Sequence, residues 1–226
     1  ALSLACSMPR MLKTNNLERK MHACETMGAC TVICTDKTGT LTQNQMQVHR
    51  CDFSGIDGQQ LADNEASCLI AEGIAVNSTA SLDLSDADAP QVLGNPTEGA
   101  LLLWLRQQHV DYEQLREDAD VVEELPFSTE RKYMATVVRS ASFPGKKIVY
   151  VKGAPEKVLA LCQSTMSPEA TADINNRLLD YQRQAMRTLG FAYKVLGDDE
   201  SAFVDDRIVA GPFTFQGIVA ISDPVR

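Results

Sequence analysis

The residues best equipped for chemistry lie in the run Cys34-Thr35-Asp36-Lys37-Thr38-Gly39-Thr40-Leu41-Thr42. A carboxylate can attack phosphorus and form an aspartyl phosphate. Small hydroxyl residues follow Asp36 closely. The hydroxyls of Thr38 and Thr40, with the amides of a loop containing Gly39, could hold phosphate oxygens. Lys37 adds positive charge, although a side chain next to Asp36 can point away from it. The preceding Thr31-Val32-Ile33-Cys34 is short, apolar and β-branched, and reads as a buried strand. That would set Asp36 at the strand's carboxyl end, the edge where open α/β sheets bind ligands. The plainer alternative is that Asp36 only caps a helix or turn.

Four further stretches carry candidate groups. Asn95-Pro96-Thr97-Glu98 opens a helix to about His109, with Asn95 as N-cap, Pro96 in the first turn and Glu98 three after the cap. Glu98 can serve the helix start or accept from a ligand amine, and both readings stand. A strand begins near Val121 and returns as Tyr133 to Val138, which leaves Phe127 and Lys132 on the charged tip of a hairpin. Ile148 to Val151 is a strand running into Lys152-Gly153-Ala154-Pro155-Glu156. Lys152 interrupts an apolar strand, and a glycine beside it would let a ligand approach the backbone; a solvated surface lysine is the alternative. Ser167-Pro168-Glu169 opens a helix to about Arg187 with Gly190 as its stop, and an arginine in a last turn also satisfies the helix dipole.

These groups must be positioned by a chain of 226 residues, 44% hydrophobic and 23% charged, enough for one large domain or two small ones. With 21 Lys and Arg against 30 Asp and Glu, the net charge of −9 disfavours nonspecific nucleic-acid binding. A site for a polyanion must therefore be locally basic. The 7 cysteines include no CxxC pair, and the 3 histidines are scattered, so no zinc constellation stands out. The thiols read as small core residues of a reducing compartment. The apolar start, Ala1 to Met8, is far shorter than the ~20 residues of a spanning helix. Residues 1–28 read as helical with Gly28 as a stop, Met46 to Phe53 as a strand, Leu61 to Val76 as a helix, and 77–91 as a solvated, mobile loop. Phe191 to Leu196 and Phe213 to Ile221 read as strands.

The run DKTGTLT resembles the phosphorylation signature of the P-type ATPases, ion pumps that pass through a phosphoaspartate. NPTEGALL, PFSTERK, KGAPE, the Arg187-Thr188-Leu189 segment and the terminal Asp223-Pro224-Val225-Arg226 are similar to that family's motifs, in family order. Asn15 to Gly28 resembles the stalk of calcium-transporting, plasma-membrane-type pumps. In related haloacid-dehalogenase-like phosphatases the residue two after the nucleophile is usually a second Asp; Thr38 in its place would slow hydrolysis of a phosphoenzyme and argues for a pump over a phosphatase. A non-catalytic nucleotide-binding module is the other alternative.

The resemblance implies an α+β nucleotide-binding domain over 45–215, an antiparallel sheet flanked by helices. It would be inserted into an incomplete α/β phosphorylation domain of haloacid-dehalogenase type, made of 29–44 and 216–226, with 1–28 as a stalk helix. It implies that ATP binds with adenine stacked on Phe127 and with Glu98, Lys132, Lys152, Gly153 and Arg187 around it. Asp36 would accept the phosphoryl group, helped by Lys37, Thr38 and Thr40, with Asp36 and the Thr38 carbonyl ligating Mg²⁺. The expected partners are ATP, the transmembrane and actuator domains of the same pump, and a transported cation, Ca²⁺. The expected location is the cytoplasmic face of a membrane. With no spanning segment in the 226 residues this piece alone is expected to be soluble, and with the later TGD and GDGxND motifs and the transmembrane ion sites missing from them it is expected to bind nucleotide without appreciable turnover or transport.

Overall fold

The computed structural model describes residues 9–14, 16–17, 20–36, 39–86, 90–162, 166–197 and 199–225, with the backbone only of 21–24 and 168–169. The chain divides into two compact units, 1–41 and 42–226.

In the first unit, residues 9–12 are helical, and helix α1 spans Met21–Gly28. The expected stalk helix is therefore interrupted. Thr14 Oγ1 donates to the Met11 carbonyl and Asn16 Nδ2 to Thr14, which gives the chain a local alternative to continuing the helix. Gly28 is the last helical residue, as expected. The strand expected over 31–34 is absent. Val32 and Ile33 are exposed, and no described strand pairs with 31–36. A β-branched apolar run becomes a strand only when a neighbour supplies the ladder of backbone hydrogen bonds.

The second unit is an antiparallel six-stranded sheet with helices on both faces. Its elements in order are β1 (Gln47–Phe53), α2 (Glu65–Val76), β2 (Ser81–Asp83), β3 (Gln91–Leu93), α3 (Pro96–Gln107), α4 (Tyr112–Asp118), β4 (Asp120–Leu125), β5 (Tyr133–Arg139), β6 (Lys147–Gly153), α5 (Pro155–Cys162), α6 (Pro168–Arg183), β7 (Arg187–Leu196), β8 (Phe203–Val204), β9 (Arg207–Ile208) and β10 (Thr214–Ser222). The sheet order is β1-β10-β7-β6-β5-β4. The α+β class and the antiparallel sheet agree with the sequence expectation.

Alternation along the strands sorts the core into two layers. Ile148 and Tyr150 of β6 pack with Leu69 and Val76 of α2, whereas Val149 and Val151 pack with Val158 and Cys162 of α5. Phe191, Val219 and Ile221 join the α2 and α3 side, and Ile218 meets Leu159 and Leu178 opposite. A sheet buried on both faces needs apolar residues at every position, which is why KIVYVKG shows no polar alternation. Gly73 lets α2 lie directly on the Tyr150 ring; a β-carbon there would come within 2.7 Å of it. Beside it, Glu72 is fully buried and accepts from Tyr150 Oη (2.5 Å), Ser140 Oγ (2.7 Å) and the Ala141 amide (3.1 Å).

Several boundaries depart from the sequence reading. The stretch 77–91 contains β2, which pairs with β3, so it is not wholly a loop. Helix α6 ends at Arg183, four residues before Arg187. Ala185 takes φ of 57°, its amide donates to the Gln182 carbonyl, and the Met186 amide donates to Tyr181. This closes the helix in the left-handed manner usually given to glycine. Gly190, expected as the stop, lies inside β7.

The two ends of this unit are fastened together. Thr42 Oγ1 donates to Asp223 Oδ2 (2.5 Å) and the Gln45 amide to Asp223 Oδ1 (3.1 Å). The Gln43 amide donates to the Pro224 carbonyl (2.9 Å), and Thr42 bridges Val225. One carboxylate thus accepts from both sides of the entering segment.

Candidate functional site

The site is built where the amino end of α3 meets the ends of β6 and β7. Asn95 caps α3, its side chain accepting from the Thr97 amide, with Pro96 in the first turn. This frees Glu98 from helix capping. Its side chain turns to the sheet, where Oε1 lies 2.8 Å from Lys152 Nζ. Glu98 Oε2 accepts from the Thr79 amide (2.8 Å), Thr79 Oγ1 (2.7 Å), the Ala80 amide (3.2 Å) and Ser78 Oγ (3.4 Å). Of the two readings of Glu98 left open by the sequence, the helix-cap role is thereby removed.

Lys152 is only 4% exposed, so the surface-lysine alternative is corrected. It projects from the α2 and α3 face of the sheet, flanked in register by Met134 and Phe191. Glu98 is its ion-pair partner, and its ammonium makes no other hydrogen bond among the described residues. An ammonium carries three N–H donors, so donor capacity remains at this buried point. Burial alone would push the Glu98 carboxyl up; Lys152 and the Thr79 donors outweigh it and hold it below the ordinary value.

Arg187 opens β7 and is exposed, and its guanidinium donates to Thr97 Oγ1 (3.1 Å), next to Glu98. Thr97 therefore joins Arg187 to the pair at the start of α3. The helix-dipole alternative for Arg187 is corrected, since the residue is in a strand.

Phe127 and Lys132 lie on the β4–β5 turn. Phe127 is 59% exposed. Ser128 holds the turn: its carbonyl accepts from the Lys132 amide (2.7 Å) and its hydroxyl from the Arg131 amide (3.0 Å). Lys132, at φ of 60°, donates no further than this turn through its backbone amide, but its carbonyl accepts from the Ala154 amide (2.8 Å). The hairpin tip is thus bonded to the Lys152-Gly153-Ala154 corner. Beside the expected ligand approach to its backbone, Gly153 has a packing reason to lack a side chain. A β-carbon there would lie 2.4 Å from the Lys132 carbonyl oxygen and 2.5 Å from Tyr133 Cα.

Asp36 is exposed, in a segment without regular structure, and Thr40 lies in an exposed turn with Gly39 at φ of 75°. Lys37 and Thr38 lie outside the described residues. Among the described residues no group of three or more His, Cys, Asp or Glu side chains could hold a metal ion. Asp36 alone does not make the octahedral oxygen shell of Mg²⁺.

Sequence reasoning missed Thr79 and its neighbours, which read as loop, and Arg116 on α4. The polar run Asn77-Ser78-Thr79 directly after an apolar helix was the available signal. A cavity of about 710 Å³ lies elsewhere, between the Asn44–Val48 segment, Val92 and the Trp104 side of α3, and contains none of the expected site residues.

The antiparallel sheet, its two helical layers and the corner built from α3, β6 and the β4–β5 turn define an α+β domain with a buried acid–base pair at one sheet end. The chain belongs to the P-type ATPases: the model of the family's cytoplasmic domain N matches residues 65–226. It is 35% identical over 238 residues to the calcium-transporting ATPase PAT1 of Dictyostelium discoideum and 33% identical over 246 residues to the plasma-membrane-type calcium-transporting ATPase 5 of Oryza sativa. To the human plasma membrane calcium-transporting ATPase 4 it is 32% identical over 247 residues. In each case the whole chain is covered, and it spans 20–22% of the relative's length. Among the described residues no helix is long and apolar enough to cross a membrane.

Proposed function

We propose that this chain is the ATP-binding and phosphoryl-accepting region of a calcium-transporting pump, working on the cytoplasmic face of a membrane. Adenine stacks on exposed Phe127, and Lys132, Lys152, Gly153 and Arg187 surround the nucleotide, with Glu98 beside Lys152. Asp36 then receives the γ-phosphoryl group as an aspartyl phosphate, with Lys37, Thr38 and Thr40 near it. Mg²⁺ would be held by Asp36 and the Thr38 carbonyl, together with ligands from ATP and other parts of the protein, and would offset negative charge on the phosphates. Residues 29–44 and 216–226 belong to a haloacid-dehalogenase-like phosphorylation domain, with 1–28 as its stalk. The transmembrane and actuator domains, the transport of Ca²⁺ and the turnover of ATP belong to the longer protein, whereas the chain alone binds nucleotide.

The observation that carries this reading is the corner where Lys152, buried and with donors to spare, meets Glu98, while Arg187 bonds the adjacent Thr97 and the Phe127 hairpin is bonded to the same strand end. The relatives' calcium-transporting function supports the choice of ion. Titration of the 226-residue chain with ATP, ADP and GTP tests it. Binding of adenine nucleotides should fall in the micromolar-to-millimolar range, roughly −8 to −4 kcal/mol, and weaken in Phe127→Ala. Equal binding by both proteins would refute the assigned cleft.

A further inference from the structure

Helix α4 (Tyr112–Asp118) carries one group aimed at the site from behind. Arg116 Nε donates to the Ala75 carbonyl (2.7 Å), and its Nη2 donates to the Ala80 (2.9 Å) and Ser78 (3.3 Å) carbonyls. Its guanidinium lies 4.9 Å from the centre of the Tyr112 ring, which fixes the side chain from the other side. Tyr112 is itself buried and its hydroxyl accepts from the Leu82 amide (2.9 Å). One planar fork therefore spans the turn that leaves α2 at both ends. Lysine, a point donor, cannot reproduce this.

The same turn faces Glu98 with its opposite groups. The amides of Thr79 and Ala80 and the hydroxyls of Ser78 and Thr79 all converge on Glu98 Oε2. Gly94 packs against the turn too; a β-carbon there would lie 3.3 Å from Ala80 Cα. The turn is thus braced by Arg116 and spends its donors on one carboxylate oxygen. The other oxygen is left to Lys152, whose ammonium has no further partner among the described residues.

We infer that Arg116 is a positioning residue for nucleotide binding: by holding the 75–80 turn it fixes Glu98, and through Glu98 the direction of the Lys152 ammonium. This deepens the nucleotide reading above and rests on it for its binding arm. No part of Arg116 need touch the ligand.

The experiment uses the whole chain and two readouts. The first is the Lys152 ¹⁵Nζ ammonium resonance, recorded without ligand. Slow proton exchange in the buried pair should make it observable in the parent chain and in Arg139→Ala, which breaks only an exposed ion pair with Asp120. It should broaden beyond detection in Arg116→Ala, in Arg116→Lys and in the milder Thr79→Val. The second readout is ATP affinity. Arg116→Ala should weaken it about tenfold, and the loss should vanish when Lys152→Met is already present, because coupled residues are not additive. An unchanged ammonium signal in Arg116→Ala and Thr79→Val overturns the inference. So does an equal ATP loss with and without Lys152, which is what general destabilisation would produce. If the parent chain binds no nucleotide but the ammonium signal behaves as described, the nucleotide reading fails while the bracing of Lys152 by Arg116 stands.

Discussion

Phe127 and Lys152 meet solvent so differently that substituting them tests different things. Phe127 is 59% exposed, so Phe127→Ala removes a stacking surface and little packing. ATP affinity should fall by roughly 1–3 kcal/mol, the usual worth of a base on an aromatic ring, with the thermal midpoint unchanged; calorimetric titration and a melting curve check both. Lys152→Ala instead strands the Glu98 carboxylate in the core. Removing one partner of a buried pair costs roughly 3–5 kcal/mol, so this variant should lose stability as well as affinity. Glu98 also sets a pH dependence. Its folded value is depressed, so between that value and the ordinary carboxylate value, about 4.3, the unfolded chain binds more protons. Stability is fully present above the ordinary value and is lost as pH falls through the folded one. Urea midpoints measured across the acid range should show a shallower fall for Glu98→Gln than for the parent chain; identical slopes would contradict the assignment.

At the scale of elements, two helices close on a residue in the left-handed region: α3 on His109 at φ of 60°, about where the sequence ends it, and α6 on Ala185 at φ of 57°, which the sequence does not flag. Ala185→Gly should relieve left-handed strain and raise stability by roughly 0.5–1 kcal/mol, measurable by urea unfolding, whereas a loss would mean that the cap is not strained. These ends also explain what could be read in advance. Asn95 and Ser167 mark helix starts through local chemistry, and each start is where the sequence puts it. The α6 terminus was hidden because an alanine holds the left-handed position usually given to glycine, two residues before β7 opens at Arg187. Thr31-Val32-Ile33-Cys34 has strand composition but no described partner strand, and composition cannot supply one. Lys152 was legible as a break in an apolar strand. Its acceptor's support was not, because Thr79 and Arg116 lie 19 residues before and 18 after Glu98 and meet it only through the fold.

For the whole molecule, the clasp of Thr42 and Gln45 on Asp223 governs how the second unit begins and ends. Asp223→Ala removes the acceptor of both bonds, and hydrogen exchange should speed up at the Gln43 and Gln45 amides while β5 and β6 stay protected. Unaltered exchange there would mean the clasp contributes nothing to local stability. Everything proposed about catalysis depends first on whether this unit holds a nucleotide at its Lys152 corner. Chemical-shift mapping of the isotopically labelled chain during ATP titration measures that most directly. The account predicts saturable shifts concentrated at Phe127, Lys132, Lys152, Gly153 and Arg187. Shifts confined to other regions, such as the cavity beside Trp104, or none at all, would contradict it.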